Sequence, residues 1–349
     1  MIVVNALGGL ENPNLALSRP FAGAVATSAP DVDDRAIADA RASGLSAVNI
    51  TLGYVAGPME PFEYTLSTIA TWDAIIGERA GQLAKVNTGA GILAARAQDK
   101  IGVIYGFQNA AQVGDDPGRI DEFADRGVGV VQLTYNPANQ LGDGCMAPEN
   151  RGFTRLGREV VARLNARRIV VDLSHSGQQT CLDAIAASSA PVSINHTGCR
   201  ALCDLPRNKT DEELRAVSEK GGFVGIYFMP FLTLSGRPTA EDVARHIEHA
   251  VNVCGEDHLG IGTDGSATAI DDLAAYRGRL EEEVADRARR GIGAKGERAD
   301  TYPFVVDLRG VGQFRKLQSL LAARGFSSGR IEKIMGANFV AFAREVWGA

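Results

Sequence analysis

Eight short runs of β-branched and apolar residues recur along this chain, and segments with helical spacing lie between them. The runs are IVVNA (2–6), SAVNITLG (46–53), GVIYGFQN (102–109), GVVQLTYN (129–136), RIVVDLSH (168–175), PVSINH (191–196), GFVGIYF (222–228) and LGIGTD (259–264). Near-continuous apolar strands of this kind belong to parallel sheets covered by helices. The intervening segments supply those helices. DVDDRAIADARASG opens on aspartates suited to capping and stops at Gly44, and RLGREVVARLNARR puts Val160, Val161 and Leu164 on one face. TDEELRAVSEKG and TAEDVARHIEHAVNVCG repeat the spacing with acidic first turns, which complement a helix N-terminus. Eight such units predict a closed (β/α)8 TIM barrel. An open doubly wound sheet is the alternative, but no strand–turn–helix here carries G-x-G-x-x-G.

The length of 349 residues fits one barrel domain spanning 1–349. Two segments fall outside the repeat: a charged insertion at about 265–300, after the eighth strand, and closing helices at about 310–349. With 45% hydrophobic and 22% charged residues the composition is that of a soluble globular protein. The net charge of −6 is well mixed and no basic stripe appears, which argues against nucleic acid as a partner. The apolar N-terminus is too short for a secretory signal, and no run approaches the ~18 residues of a membrane span. The five cysteines include no C-x-x-C pair, so a reduced, cytoplasmic protein is expected.

Barrel active sites form at the C-terminal ends of the strands. The polar residues at those ends are Asn5, Asn49, Thr51, Gln108, Asn109, Tyr135, Asn136, Asp172, His175, His196 and Asp264. Two neutral imidazoles and a carboxylate meeting at one mouth suit a divalent metal such as zinc. Asp264 could instead move protons. The plain alternative is that each histidine only satisfies backbone groups at a strand end. His246 and His249, within a helix, and His258, at a strand's entry end, are expected to be structural.

Several motifs in order, GVGVVQLTYNPANQ, GFTRLGREVVARLNARRIVVDLSHSG, PVSINHTG, RNKTDEELRAVSEKGGFVGI, LGIGTDG and IEKIMGANFVAFAREV, resemble the membrane (renal) dipeptidase family of metallopeptidases. The resemblance runs over about residues 100–265 and resumes at about 310–347. It implies a (β/α)8 barrel with a two-zinc site that hydrolyses dipeptides, and commonly a homodimer. Residue by residue, it implies that His175 and His196 bind one zinc, that Asp264 is the catalytic aspartate and that Arg207 holds the substrate carboxylate.

The departures from the family pattern lie on one side of the site. Asn5, Leu7 and Gly9 stand where the family has Asp, His and Asp on its first strand, and Gln108 stands where it has the bridging glutamate. Leucine and glycine have no ligand atom, and an amide offers one neutral oxygen in place of a bridging carboxylate. Tyr135 replaces a histidine that contacts substrate in the family. At most one zinc is therefore expected, on His175 and His196, with Gln108 a weak further ligand and Cys145 a speculative one. Asp264 and Tyr135 are the candidate catalytic groups. Arg207, Asn136 and Asn5 are the candidate substrate-binding residues. The expected function is hydrolysis of a small carboxylate-bearing dipeptide or amide. The alternatives are a metal-free lyase or isomerase, or a pseudoenzyme that binds a small ligand; metal content followed by a turnover screen separates the three.

Overall fold

The computed structural model describes residues 1–23 and 30–348. Its sheet is entirely parallel: β1 (Val4–Gly8), β2 (Ala47–Leu52), β3 (Leu83–Lys85), β4 (Ile101–Phe107), β5 (Val128–Gln132), β6 (Val170–Asp172), β7 (Ser193–Thr197), β8 (Phe223–Ile226) and β9 (Leu259–Ile261). The order β2-β1-β9-β8-β7-β6-β5-β4 closes through pairing of β2 with β4, giving the eight-stranded barrel expected from the repeat. The ninth strand, β3, is extra. It pairs with Ile101–Val103 at the entry end of β4, on the edge that β5 takes over from Tyr105 onward. Its three residues, one of them a lysine, are too few to show a period, so no sequence pattern marks it.

Strand alternation divides the apolar residues into two layers. Val4, Ala6, Ala47, Ile104, Val130, Val170 and Phe223 form one cluster with Phe339, Val340, Phe342 and Trp347 of the closing helix Asn338–Trp347. That helix contacts β1, β6, β8 and β9, and Trp347 Nε1 donates to the Gly129 carbonyl at 2.9 Å. Val48, Ile50, Val103, Val131, Val171, Val224 and Ile261 form the other cluster, packed against the surrounding helices.

The strands are shorter than their apolar runs. β6 ends at Asp172, which leaves His175 in the turn beyond it, while His196 lies within β7. Asp264 lies beyond β9. The insertion carries the helix Leu273–Arg289, whose Tyr276 and Leu280 pack with Leu17, Tyr302 and Phe304. Among the described residues no helix is long and apolar enough to cross a membrane.

Candidate functional site

His175 and His196 meet at the C-terminal mouth, with Nε2 of one 2.9 Å from Nε2 of the other. Their protonation follows from Asn136. Its Nδ2 donates to the Ile292 carbonyl at 2.8 Å, so its Oδ1 faces His175 Nδ1 at 2.7 Å and accepts from it. Neutral His175 therefore carries its proton on Nδ1 and presents a lone pair at Nε2. Burial, and after it the positive charge of Arg207, hold both rings well below the ordinary imidazole pKa. His196 then donates from Nε2 to His175, which leaves its own Nδ1 a buried acceptor without a partner. An orphaned buried polar atom costs about 1–3 kcal/mol.

Two glycines let the strands beneath this pair come together. The Asn195 carbonyl lies 2.1 Å from where a Gly225 Cβ would stand and 1.9 Å from where a Gly262 Cβ would. Asp264 follows Gly262 in a fixed turn. Thr263 N donates to Asn5 Oδ1 and Asn5 Nδ2 to Thr263 Oγ1, both at 2.8 Å, and Asp264 N donates to the Leu7 carbonyl at 2.9 Å. Asp264 itself has φ +57°, a left-handed conformation that aspartate tolerates better than most residues. Burial pushes its carboxyl up to about 6, against the opposing charge of Arg207 and a 3.5 Å contact from Gln108 Nε2. Asn5, with both ends of its amide bound by Thr263, serves to join β1 to the end of β9.

Arg207 is 2% exposed, and its Nη1 donates to the Ser174 carbonyl at 2.8 Å. Among the described residues no carboxylate pairs with it. Its charge reaches Cys145, His175, His196, Tyr227 and Asp264. Beside it the buried Lys209 pairs with Glu213 at 3.0 Å and donates to the Ser176 carbonyl. Cys145 is tied by its backbone to the His175 carbonyl at 2.7 Å, and its thiol faces Asn136 Oδ1 at 3.5 Å. Burial raises that thiol, so it stays protonated at neutral pH. His246, His249 and His258 bond to the Leu232 carbonyl, Asp211 and the Gly222 carbonyl, away from the mouth.

The opposite side of the mouth is a cleft of about 560 Å³, bordered by Glu11, Thr51, Gln108, Tyr135 and Arg287. Tyr135 stacks on His175 with ring centroids 4.3 Å apart. Two of the bordering groups were not marked by the sequence. Glu11 Oε2 lies 2.1 Å from where a Gly9 Cβ would stand, so this carboxylate folds back into space left by the missing side chain. Arg287, from the insertion helix, reaches Tyr135 Oη at 3.3 Å. It follows the same charged pattern as its neighbours Arg289 and Arg290, and only the fold distinguishes it.

The residues do not fit a two-ion centre. Leu7 and Gly9 lack ligand atoms, and Gln108 turns its amide nitrogen toward Asp264. A ligating histidine ordinarily donates its other N–H to an acceptor, which His196 Nδ1 lacks. Among the described residues, no three histidine, cysteine or carboxylate side chains group closely enough to hold an ion.

A closed parallel barrel with buried acid–base groups at its C-terminal mouth defines a class of α/β-barrel proteins with hydrolase-type sites. Within it the lineage is specific. Residues 42–291 match the family model described as membrane dipeptidase (peptidase family M19), and the chain belongs to that family. A crystal structure of an amidohydrolase from Pseudomonas aeruginosa superposes with a TM-score of 0.81 at 32% identity, over 100% of this chain and 97% of that one. A metallo peptidase from Rhodobacter sphaeroides, liganded with a phosphinate mimic of L-Ala-D-Ala, shares the fold at TM-score 0.74 and 21% identity, over 99% of each chain. Dipeptidase tcpJ of Claviceps purpurea is 30% identical over 71% of this chain. The match covers 51% of tcpJ, so the chain spans about half the length of that relative.

Proposed function

We propose that this chain hydrolyses the amide bond of a small substrate bearing a free carboxylate, a dipeptide or an N-acyl amino acid. The observation that carries the reading is a buried arginine, Arg207, bonded to the Ser174 carbonyl beside His175 and in no ion pair among the described residues, at the mouth where Asp264 ends the turn after β9. Arg207 would take the substrate carboxylate as the counter-ion it lacks. Asp264 would accept a proton from water as the water oxygen bonds to the scissile carbonyl carbon. The carbonyl π electrons move onto its oxygen. On collapse the C–N bond breaks, and Asp264 returns the proton to the leaving amine. A general acid–base group works best with a pKa near the working pH. His196 Nδ1, the one ring nitrogen of the neutral pair left without a partner among the described residues, would accept a hydrogen bond at the reacting centre without adding charge.

The metal content that accompanies this reading is at most one zinc per chain, on His175 and His196, and the reading requires none: a zinc there would replace the hydrogen bond between the two Nε2 atoms, and His196 Nδ1 has no acceptor to orient it. A cytoplasmic location and a homodimer are part of the same proposal, resting on the sequence and the family resemblance. The experiment is a panel of dipeptides and N-acyl amino acids, followed by mass spectrometry, on protein whose metal content has been measured. Turnover confined to carboxylate-bearing amides supports the reading. No turnover across the panel, or two tightly held ions per chain, overturns it.

A further inference from the structure

Arg287 and Tyr135 together place positive charge and hydrogen-bond donors beside His175. Tyr135 stacks on His175 with an interplanar angle of 20°. Arg287 Nη2 lies 3.3 Å from Tyr135 Oη, and the guanidinium carbon sits 5.9 Å from the Tyr135 ring centroid. The arginine is aimed rather than free. Its Nε donates to Glu297 at 2.5 Å and its Nη2 also approaches the Ile292 carbonyl at 3.3 Å, so its side chain is only 21% exposed. A planar guanidinium held along one edge keeps its other edge for a partner. Both residues border the large cleft, where a substrate can reach them.

The Ile292 carbonyl accepts from Arg287 and from Asn136 Nδ2 alike, and Asn136 fixes the His175 tautomer. A single backbone oxygen of the insertion therefore sets the donor pair and the histidine in register. The charge of Arg287 also reaches His175 and Asp264. This cation borders the same cleft as Gln108, whose neutral amide offers no negative charge to a metal. Hydrolysis still requires something there to stabilise negative charge as the carbonyl oxygen becomes an oxyanion.

We propose that Arg287 and Tyr135 form the oxyanion seat of this site, a guanidinium and a phenol supplied by the insertion and the turn after β5. The idea rests on the hydrolytic reading above. As water adds to the carbonyl carbon and the π electrons move to oxygen, Arg287 Nη and Tyr135 Oη donate to that oxygen. When the C–N bond breaks, the electrons return to carbon and both donors are released unchanged.

The test uses the full chain and two probes: a carboxylate-bearing dipeptide that it turns over, and a phosphinate analogue of an Ala–Ala dipeptide, which carries the tetrahedral anion. Arg287→Met is expected to lower kcat by ~10²–10³-fold, with KM changing less than about 3-fold. Phosphinate affinity falls by a similar factor, while affinity for the free amino-acid product changes little. Arg287→Lys recovers part of both, and Tyr135→Phe loses about tenfold. Glu297→Gln, with thermal melts of every variant, separates loss of the donor from collapse of the insertion. If Arg287→Met keeps kcat and phosphinate affinity, the seat is wrong and the hydrolase stands. If the wild type turns nothing over yet binds phosphinate through Arg287, the seat stands and the reaction is wrong. A wild type that neither turns over nor binds the phosphinate sinks both, and a uniform rise in KM with unchanged kcat sinks the seat.

Discussion

The two halves of the barrel mouth are built differently. On the β6–β7 side, His175, His196, Arg207, Lys209 and Glu213 are almost wholly buried and tied together by hydrogen bonds and an ion pair. On the β1–β4 side, Gln108 borders an open cleft, into which Glu11 reaches from just past β1 and Arg287 from the insertion helix. The first half constrains its groups to one geometry. The second has room for a substrate and tolerates change.

The largest expected effect lies at the seam, where Asp264 follows β9. Asp264→Asn keeps the left-handed backbone, which asparagine also tolerates, but removes the proton acceptor. Its kcat/KM should fall by ~10²–10⁴-fold. The pH profile sharpens the assignment. A base with a pKa of about 6 is ionised above that value, so the rate should rise through about pH 6 and level off. The stability change has the opposite sign. A folded-state carboxyl pKa raised above its ordinary value means that ionisation opposes folding, so stability falls as pH rises from about 4 to 6. The neutral asparagine should therefore gain stability at pH 7, on the order of 1 kcal/mol. A variant that is inactive and less stable would contradict this account of the seam.

The bonded half should show the next largest effects. Lys209→Met leaves Glu213 buried without its cation and should cost ~3–5 kcal/mol in denaturant unfolding. Lys209→Met combined with Glu213→Leu should recover part of that loss, the rest being the capping bonds that Glu213 accepts from Thr210. Gly262→Ala drives a Cβ into the Asn195 carbonyl, a backbone atom that cannot move aside, and should cost about 1–3 kcal/mol. Asn136→Leu removes the acceptor that fixes the His175 tautomer. Turnover should drop about tenfold, and an NMR probe of the ring should show a changed tautomer balance.

The same contrast explains what could be read before the fold was known. The barrel was legible because each strand is an apolar run bounded by polar residues, and that pattern survives in a single sequence. The meeting of His175 and His196 was legible because barrel topology brings strand ends together whatever their separation. β3 was not legible, being too short to show a period. Asn5 stands at a strand end like the others, but its partner Thr263 lies 258 positions away, and nothing local announces that bond. Arg287 and Glu11 were hidden for a related reason. One lies in an insertion whose charges all look alike, and the other acquires its place only because Gly9 leaves space beside it.

The smallest effect should come from filling that space. Gly9→Ala puts a methyl 2.1 Å from Glu11 Oε2, closer than any real contact, so something must move. The obstructing atom is the end of a flexible side chain with a cleft of about 560 Å³ beside it, so Glu11 should swing outward. The cost should stay within ~0.5 kcal/mol, as for a surface substitution. The burial that now raises the Glu11 carboxyl should be relieved, and its pKa should fall toward the ordinary carboxylate range. Comparing Gly9→Ala with Gly262→Ala uses the same added methyl group in both halves of one mouth. A loss at position 9 as large as that at position 262 would show the β1–β4 side to be as tightly packed as its opposite, and the asymmetry between the halves would be lost.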